Sequence, residues 1–276
     1  MTALHLFILA IVQGITEFLP ISSSGHLVLI PVLTGWTDQG LMMDVSVHVG
    51  TLVAVLVYFR DDTKGLFLAG LGSIGIAPAR RAIEGTIYGK LFWAIVIATI
   101  PAVIVGFMLK VTGTVDLMRG AAVIATTSIV FGLLLYWADR VGATEKSLER
   151  MAIKPALIIG LAQMLALIPG TSRSGITMTA ARYLGFNRQD SARFSLLLSI
   201  PTIIGAAVLL GKDVATSGDS IVWAEAGIAA GLSCLAALAA IHFLMKWLAH
   251  ASMAIFVIYR VALGLFLFAL IAAGTI

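Results

Sequence analysis

Residues 13–25 read QGITEFLPISSSG and residues 163–175 read QMLALIPGTSRSG, and these two stretches decide the fold. Gln13, Ser22, Ser24 and Gly25 recur 150 positions later as Gln163, Ser172, Ser174 and Gly175, the register of a duplicated unit. In each copy a hydrophobic helix runs into a proline, Pro20 or Pro169, and a Ser/Gly-rich turn follows. Inside a bilayer such a break exposes helix ends and hydroxyls, which suits an anion.

Around these stretches the chain is strongly apolar. Of 276 residues, 60% are hydrophobic and 12% charged, and the mean hydropathy is +1.04, more apolar side chain than a soluble domain buries. The sequence therefore reads as an integral membrane protein. The first dozen residues, MTALHLFILAIV, lack the positive start and small-residue cleavage site of a signal peptide and are expected to stay in the fold. A single cysteine, Cys234, excludes an internal disulfide and reads as a small helix-packing residue. The formal charge of +4 comes from Lys and Arg flanking apolar segments, which speaks for membrane topology and against nucleic acid. Walker, GxGxxG and HExxH patterns are missing, which argues against soluble nucleotide enzymology.

Six stretches have the roughly 17–25 apolar residues that a span needs: about 42–59, 90–110, 117–137, 192–211, 221–245 and 252–274. The two quoted clusters lie outside them. Residues 1–36 and 152–188 each hold two short helices around a break, so each is predicted to be a re-entrant hairpin. The expected fold is all-α, with six transmembrane helices plus two re-entrant helical hairpins in one membrane domain, 1–276. Three spans after each hairpin is an odd number, so the halves, about 1–137 and 152–274, form an inverted-topology repeat whose hairpin tips meet near the centre. With the N-terminus outside, Arg60, Lys64, Arg80, Arg81, Lys90, Arg140, Lys146, Arg150, Lys154, Arg182, Arg188, Arg193 and Lys246 are cytoplasmic. Only Lys110, Arg119 and Lys212 are then external, a strong positive-inside bias. Segment 60–89 reads as a cytoplasmic connection without an assigned role.

The clusters also carry the chemistry. Gln13 and Glu17 are four apart and share a helix face. After Pro20, a serine among Ser22, Ser23 and Ser24 caps the next helix, so backbone N–H groups, including that of Gly25, and hydroxyls converge as a cradle for phosphate oxygens. His26 follows on the first turn. In the second hairpin Ser172, Ser174 and Thr177 supply hydroxyls, and Arg173 places a permanent planar cation at the tip, suited to phosphate. Two plainer readings compete: the serines as packing devices between close helices, and Glu17 with Arg173 as a buried structural ion pair. The repeat, the two breaks and His26 favour a site. Arg260, inside the last span, reads as a clamp paired with Asp44 or Glu225. His5, His48, His242 and His250 show no metal-ligand spacing and read as structural or interfacial.

At these residues the chain resembles the bacitracin-resistance family of undecaprenyl-diphosphate phosphatases. That family is marked by an (E/Q)xxxE element, an SS(S/T)GH run and a PGxSRSxxT element. They stand here as Gln13 to Glu17, Ser22 to His26 and Pro169 to Thr177. The likeness covers nearly the whole chain, including Tyr259-Arg260 in the last span. It implies hydrolysis of undecaprenyl diphosphate to the monophosphate and inorganic phosphate. This recycles a lipid carrier for peptidoglycan and other envelope polymers, at the bacterial inner membrane, from a periplasm-facing site. It also implies assistance by a divalent cation, Mg²⁺ or Ca²⁺, with Glu17 as a ligand. Glu17, Ser22, Ser23, His26 and Arg173 become the expected essential set. Gln13, Ser22, Ser24, Gly25, Ser172, Ser174 and Thr177 are the expected substrate contacts. Gln13 stands where some relatives have Glu, leaving one carboxylate in place of two. The oligomeric state, a homodimer among the options, stays open.

The attacking group is Ser23 activated by His26, His26 itself, or a water that His26 deprotonates; the first is favoured. Glu17 either holds the cation or orients His26. A rival reading is a polyprenyl-phosphate flippase, since inverted repeats with broken helices also mark transporters. The conjunction of His26, hydroxyls and Glu17 favours an enzyme.

Overall fold

The computed structural model describes residues 2–36, 40–113, 118, 120–142, 144–217 and 223–276. Arg119, assigned above to the outer face, lies outside the described residues. Among the described residues twelve α-helices follow one another: α1 (Ala3–Thr16), α2 (Ser23–Thr34), α3 (Leu41–Tyr58), α4 (Arg60–Ser73), α5 (Ala77–Ala82) and α6 (Tyr88–Thr112), then α7 (Ala121–Val141), α8 (Ile153–Gln163), α9 (Arg173–Tyr183), α10 (Arg188–Ser217), α11 (Trp223–Leu248) and α12 (Ala254–Ala272). The described residues form no strand, only an isolated bridge between Lys146 and Phe186.

Among the described residues five helices are long and apolar enough to cross a bilayer: α6, α7, α10, α11 and α12. This is a multi-pass membrane protein. The stretch expected as the first span, 42–59, is not a self-sufficient sixth. It becomes α3, which bends by 94° at Phe59 into α4, and only the pair together qualifies. Phe59, at φ −100° and ψ 39°, has left helical geometry and ends one helix while opening the next. Segment 60–89, left without structure above, holds α4 and α5.

The two pairs of short helices pack in comparable ways. Hairpin α1–α2 lies against α11 through α1, and hairpin α8–α9 lies against α6 through α8, each contacting a long helix of the other half. Two further pairings cross between halves, α3 with α11 and α7 with α12. Close approach requires a missing side chain: a Cβ on Gly50 of α3 would stand 2.1 Å from the Ala230 carbonyl oxygen of α11. Small residues at such crossings let membrane helices gain van der Waals contact that apolar burial alone does not supply in lipid.

A set of ionic contacts joins the ends of α4, α7, α9 and α10. Arg193 at the start of α10 pairs with Asp62 of α4. Asp139 at the end of α7 accepts from Arg182 of α9 and Arg188 of α10, and from the Met253 N–H just before α12. The Lys146 ammonium reaches the Leu184 carbonyl. Lys146, Arg182, Arg188 and Arg193 are among the residues expected above on the cytoplasmic side.

Candidate active site

The two hairpin turns touch. The Ser174 hydroxyl donates to the Leu19 carbonyl of the first turn at 2.9 Å, and a Cβ on Gly25 would lie 3.5 Å from Gly170 Cα. Gly170 has φ +86°, and a Cβ there would meet Thr127 Oγ1 at 2.2 Å, so only glycine allows the second turn to press on α7. Arg260, fully buried on α12, clamps both turns and α7. It donates to the carbonyls of Pro20, Gly170 and Thr171 and to those of Thr127 and Ser128. The clamp expected from sequence exists, but it holds backbone oxygens rather than Asp44 or Glu225. Chain breaks leave carbonyls without helical donors, and a guanidinium supplies five N–H groups to satisfy them.

Both turns repeat one unusual backbone. Ser22 and Ser172 have φ of 74° and 70°, and no other described non-glycine residue has positive φ. Such geometry costs about 1–3 kcal/mol at each residue. In return each serine Oγ caps its helix, accepting from Gly25 N–H at 3.3 Å and from Gly175 N–H at 3.1 Å. The first-turn N–H groups of Ser23 and Ser24, and of Arg173 and Ser174, lie ahead of the intrahelical ladder. Two helix N-termini thus face the junction of the turns.

Glu17 lies at this junction, capping the C-terminus of α1. Its Oε2 accepts from Gln13 Nε2 at 2.9 Å and from Ser23 Oγ at 2.6 Å; its Oε1 accepts from Arg173 at 2.8 Å. Side-chain exposures of 6% for Glu17 and 17% for Arg173 make this a largely buried pair. Breaking such a pair leaves a bare charge and costs about 3–5 kcal/mol. The ion pair weighed above as the alternative to a site is present, and it joins the same residues as the site. Arg173 also comes within 3.5 Å of Thr202 Oγ1 on α10.

His26 is arranged differently from the sequence expectation. Its Nδ1 lies 2.6 Å from the Ser22 carbonyl and its Nε2 lies 2.5 Å from the Tyr259 hydroxyl. Neither Ser23 nor Glu17 bonds to it. The favoured pairing of Ser23 with His26 is replaced by Ser23 with Glu17, because Ser23 leaves the helix start on the side facing α1. Several expected substrate contacts also have bonds within the architecture. Ser22 and Ser172 cap, Ser174 ties the two turns, and Thr177 bonds Ser195 of α10 at 2.6 Å. Ser24 is exposed beside the junction.

A family model described as "Bacitracin resistance protein BacA" matches residues 6–266. The chain belongs to this family. Curated relatives named undecaprenyl-diphosphatase align over nearly the full length. Those from Roseobacter denitrificans and Jannaschia sp. are 48% and 50% identical, and each alignment covers 97% of this chain and 98% of the relative. One from Ruegeria pomeroyi is 49% identical over the same shares.

For this BacA-family chain, sequence reasoning passed over three residues near the junction. His48, read above as structural, extends Nε2 to 3.9 Å from Glu17 Oε2. Tyr259 meets His26 across 233 residues of sequence. Thr202 borders a groove of about 430 Å³ between α6, α8 and α10, lined by Ala102, Gly106, Leu167 and Gly205 and ending on Arg173 and Gln163. His48 lies four residues after Asp44, whose carbonyl fixes its Nδ1, but no local spacing shows that α3 turns this face to the first hairpin.

Proposed function

We propose that this protein hydrolyses undecaprenyl diphosphate to undecaprenyl phosphate and inorganic phosphate at the junction of its two hairpin turns. The observation that carries the reading is the convergence of Glu17, Ser23 and Arg173, brought from separate halves of the chain onto one carboxylate between two helix N-termini. Similarity to full-length relatives bearing that activity in their names supports it. Phosphoryl transfer needs positioning and charge neutralisation more than covalent chemistry. Arg173 and the N–H groups ahead of α2 and α9 supply both to the terminal phosphate, and the apolar groove beside Arg173 accepts part of the prenyl chain.

In this reading Ser23 Oγ attacks the terminal phosphorus. Its proton passes to Glu17 Oε2, 2.6 Å away, while the bridging P–O bond breaks and its electron pair leaves with undecaprenyl phosphate. Water then attacks the phosphoserine, the P–Oγ bond breaks, and Oγ recovers its proton from Glu17. His26 takes the water's proton. A divalent cation fits the residues present. Gln13 Oε1 is a buried acceptor without a partner beside Glu17; it and Glu17 would hold the ion. Among the described residues no cluster of three acidic, His or Cys side chains occurs, so further ligands would have to come from substrate or water, as is usual for Mg²⁺. When bound, the cation neutralises charge on the phosphate oxygens.

The topology belongs to the same reading: six passes with α3 as the first, and hairpins α1–α2 and α8–α9 entering from opposite faces as halves of an inverted repeat. The basic end is cytoplasmic, in a bacterial inner membrane, and the site opens to the periplasm. Phosphate release from the lipid diphosphate by purified protein in detergent with Mg²⁺ or Ca²⁺ tests the function. Wild type should turn over, Glu17→Ala should be nearly inactive, and trapped enzyme should carry phosphate on Ser23. No release from wild type would overturn the proposal.

A further inference from the structure

The contact between His26 and Tyr259 is not used by the chemistry above, and it occupies the nitrogen that chemistry requires. The Ser22 carbonyl is an acceptor only, so Nδ1, 2.6 Å away, carries a proton. In the neutral imidazole the lone pair is then on Nε2, and the Tyr259 hydroxyl at 2.5 Å donates to it. Ser22 is the N-cap of α2, and its carbonyl, which also accepts the His26 backbone N–H, selects the tautomer. Tyr259 is equally constrained. It precedes Arg260, whose guanidinium fixes this turn of α12 to both hairpins. The two rings stack with 13° between their planes and centroids 5.7 Å apart. Charged neighbours do not compete for Nε2: Glu17 and Arg173 hold each other, and Arg260 is committed to carbonyls. Tyr259 is 43% exposed, so the phenol forms the outer edge of the pair.

We propose that Tyr259 relays the proton of the attacking water to His26. The step rests on the phosphatase reading above. The water O–H bond breaks as its oxygen bonds to phosphorus. That proton goes to the phenol oxygen, and the phenol's own proton moves to Nε2. An imidazolium and an unchanged tyrosine result, and the imidazolium releases its proton to solvent before the next cycle. Direct abstraction by Nε2 would require the phenol to leave, whereas the relay uses the contact as it stands. The structure thereby assigns separate acceptors to the two halves of the reaction, Glu17 to the serine and the Tyr259–His26 pair to the water.

The test compares wild type with Tyr259→Phe, which keeps the ring and its stacking and removes only the hydroxyl. Turnover of lipid diphosphate in detergent should fall on the order of 10²-fold, with KM and the thermal unfolding midpoint close to those of wild type. Rates in H₂O/D₂O mixtures should curve with deuterium fraction in wild type, where two protons move together, and become linear in the variant. A linear dependence in wild type, which needs no variant, overturns the relay. So does Tyr259→Phe turnover within about twofold of wild type. Either result leaves the phosphatase reading standing, whereas a wild type that releases no phosphate ends both.

Discussion

Arg173 reaches Glu17 through one guanidinium nitrogen at 2.8 Å and Thr202 through another at 3.5 Å, so a planar fork spans two partners. Lysine keeps the charge but offers a single point. Arg173→Lys should therefore insert and fold, yet lose about 10²–10³-fold in kcat, the range for removing one donor from a developing anion. Phosphate-release kinetics alongside a detergent unfolding curve would show it; near-wild-type kcat would remove the fork from the mechanism. The pairing of Glu17 with Arg173 was legible in the sequence because a charge in an apolar run has to be answered by something. His48 and Tyr259 were not. Their relevance depends on which faces α3 and α12 turn to the first hairpin, and packing between distant segments decides that.

Helix crossings explain which glycines tolerate change. Gly50 has no room for a methyl group against the Ala230 carbonyl, whereas Gly205 has nothing within 4 Å of an added Cβ and lines the groove below Arg173. Gly50→Ala should lower stability by about 1–3 kcal/mol, the usual cost of overpacking, visible as a lower unfolding midpoint in detergent. Gly205→Leu should leave that midpoint unchanged and raise KM for long-chain substrate more than for a short-chain analogue. Equal KM changes for both substrates would take the prenyl chain out of the groove. The hairpins were readable from proline and serine spacing because turn chemistry is local. The 94° bend at Phe59 was not, because hydropathy averaged over 42–59 records composition and not direction.

Across the whole molecule one carboxylate ties four helices together. Asp139, 4% exposed, accepts from Arg182, which is fully buried, and from Arg188, which is 30% exposed. Asp139→Asn should destabilise the protein by about 3–5 kcal/mol because Arg182 loses its countercharge in the interior. Arg188→Gln should cost far less, since solvent already screens it. Thermal unfolding of the two variants side by side would reverse this account if they fell equally. The Glu17–Arg173 pair has a similar reach, and it bears on biogenesis. Its partners are 156 residues apart in the chain, so a nascent first half enters the lipid with Glu17 hydrogen-bonded by Gln13 and Ser23 but without its guanidinium partner. Only the arrival of the second half supplies it. A chain that stops before Arg173 never forms the pair, so this contact between the hairpins exists only once both halves have been made.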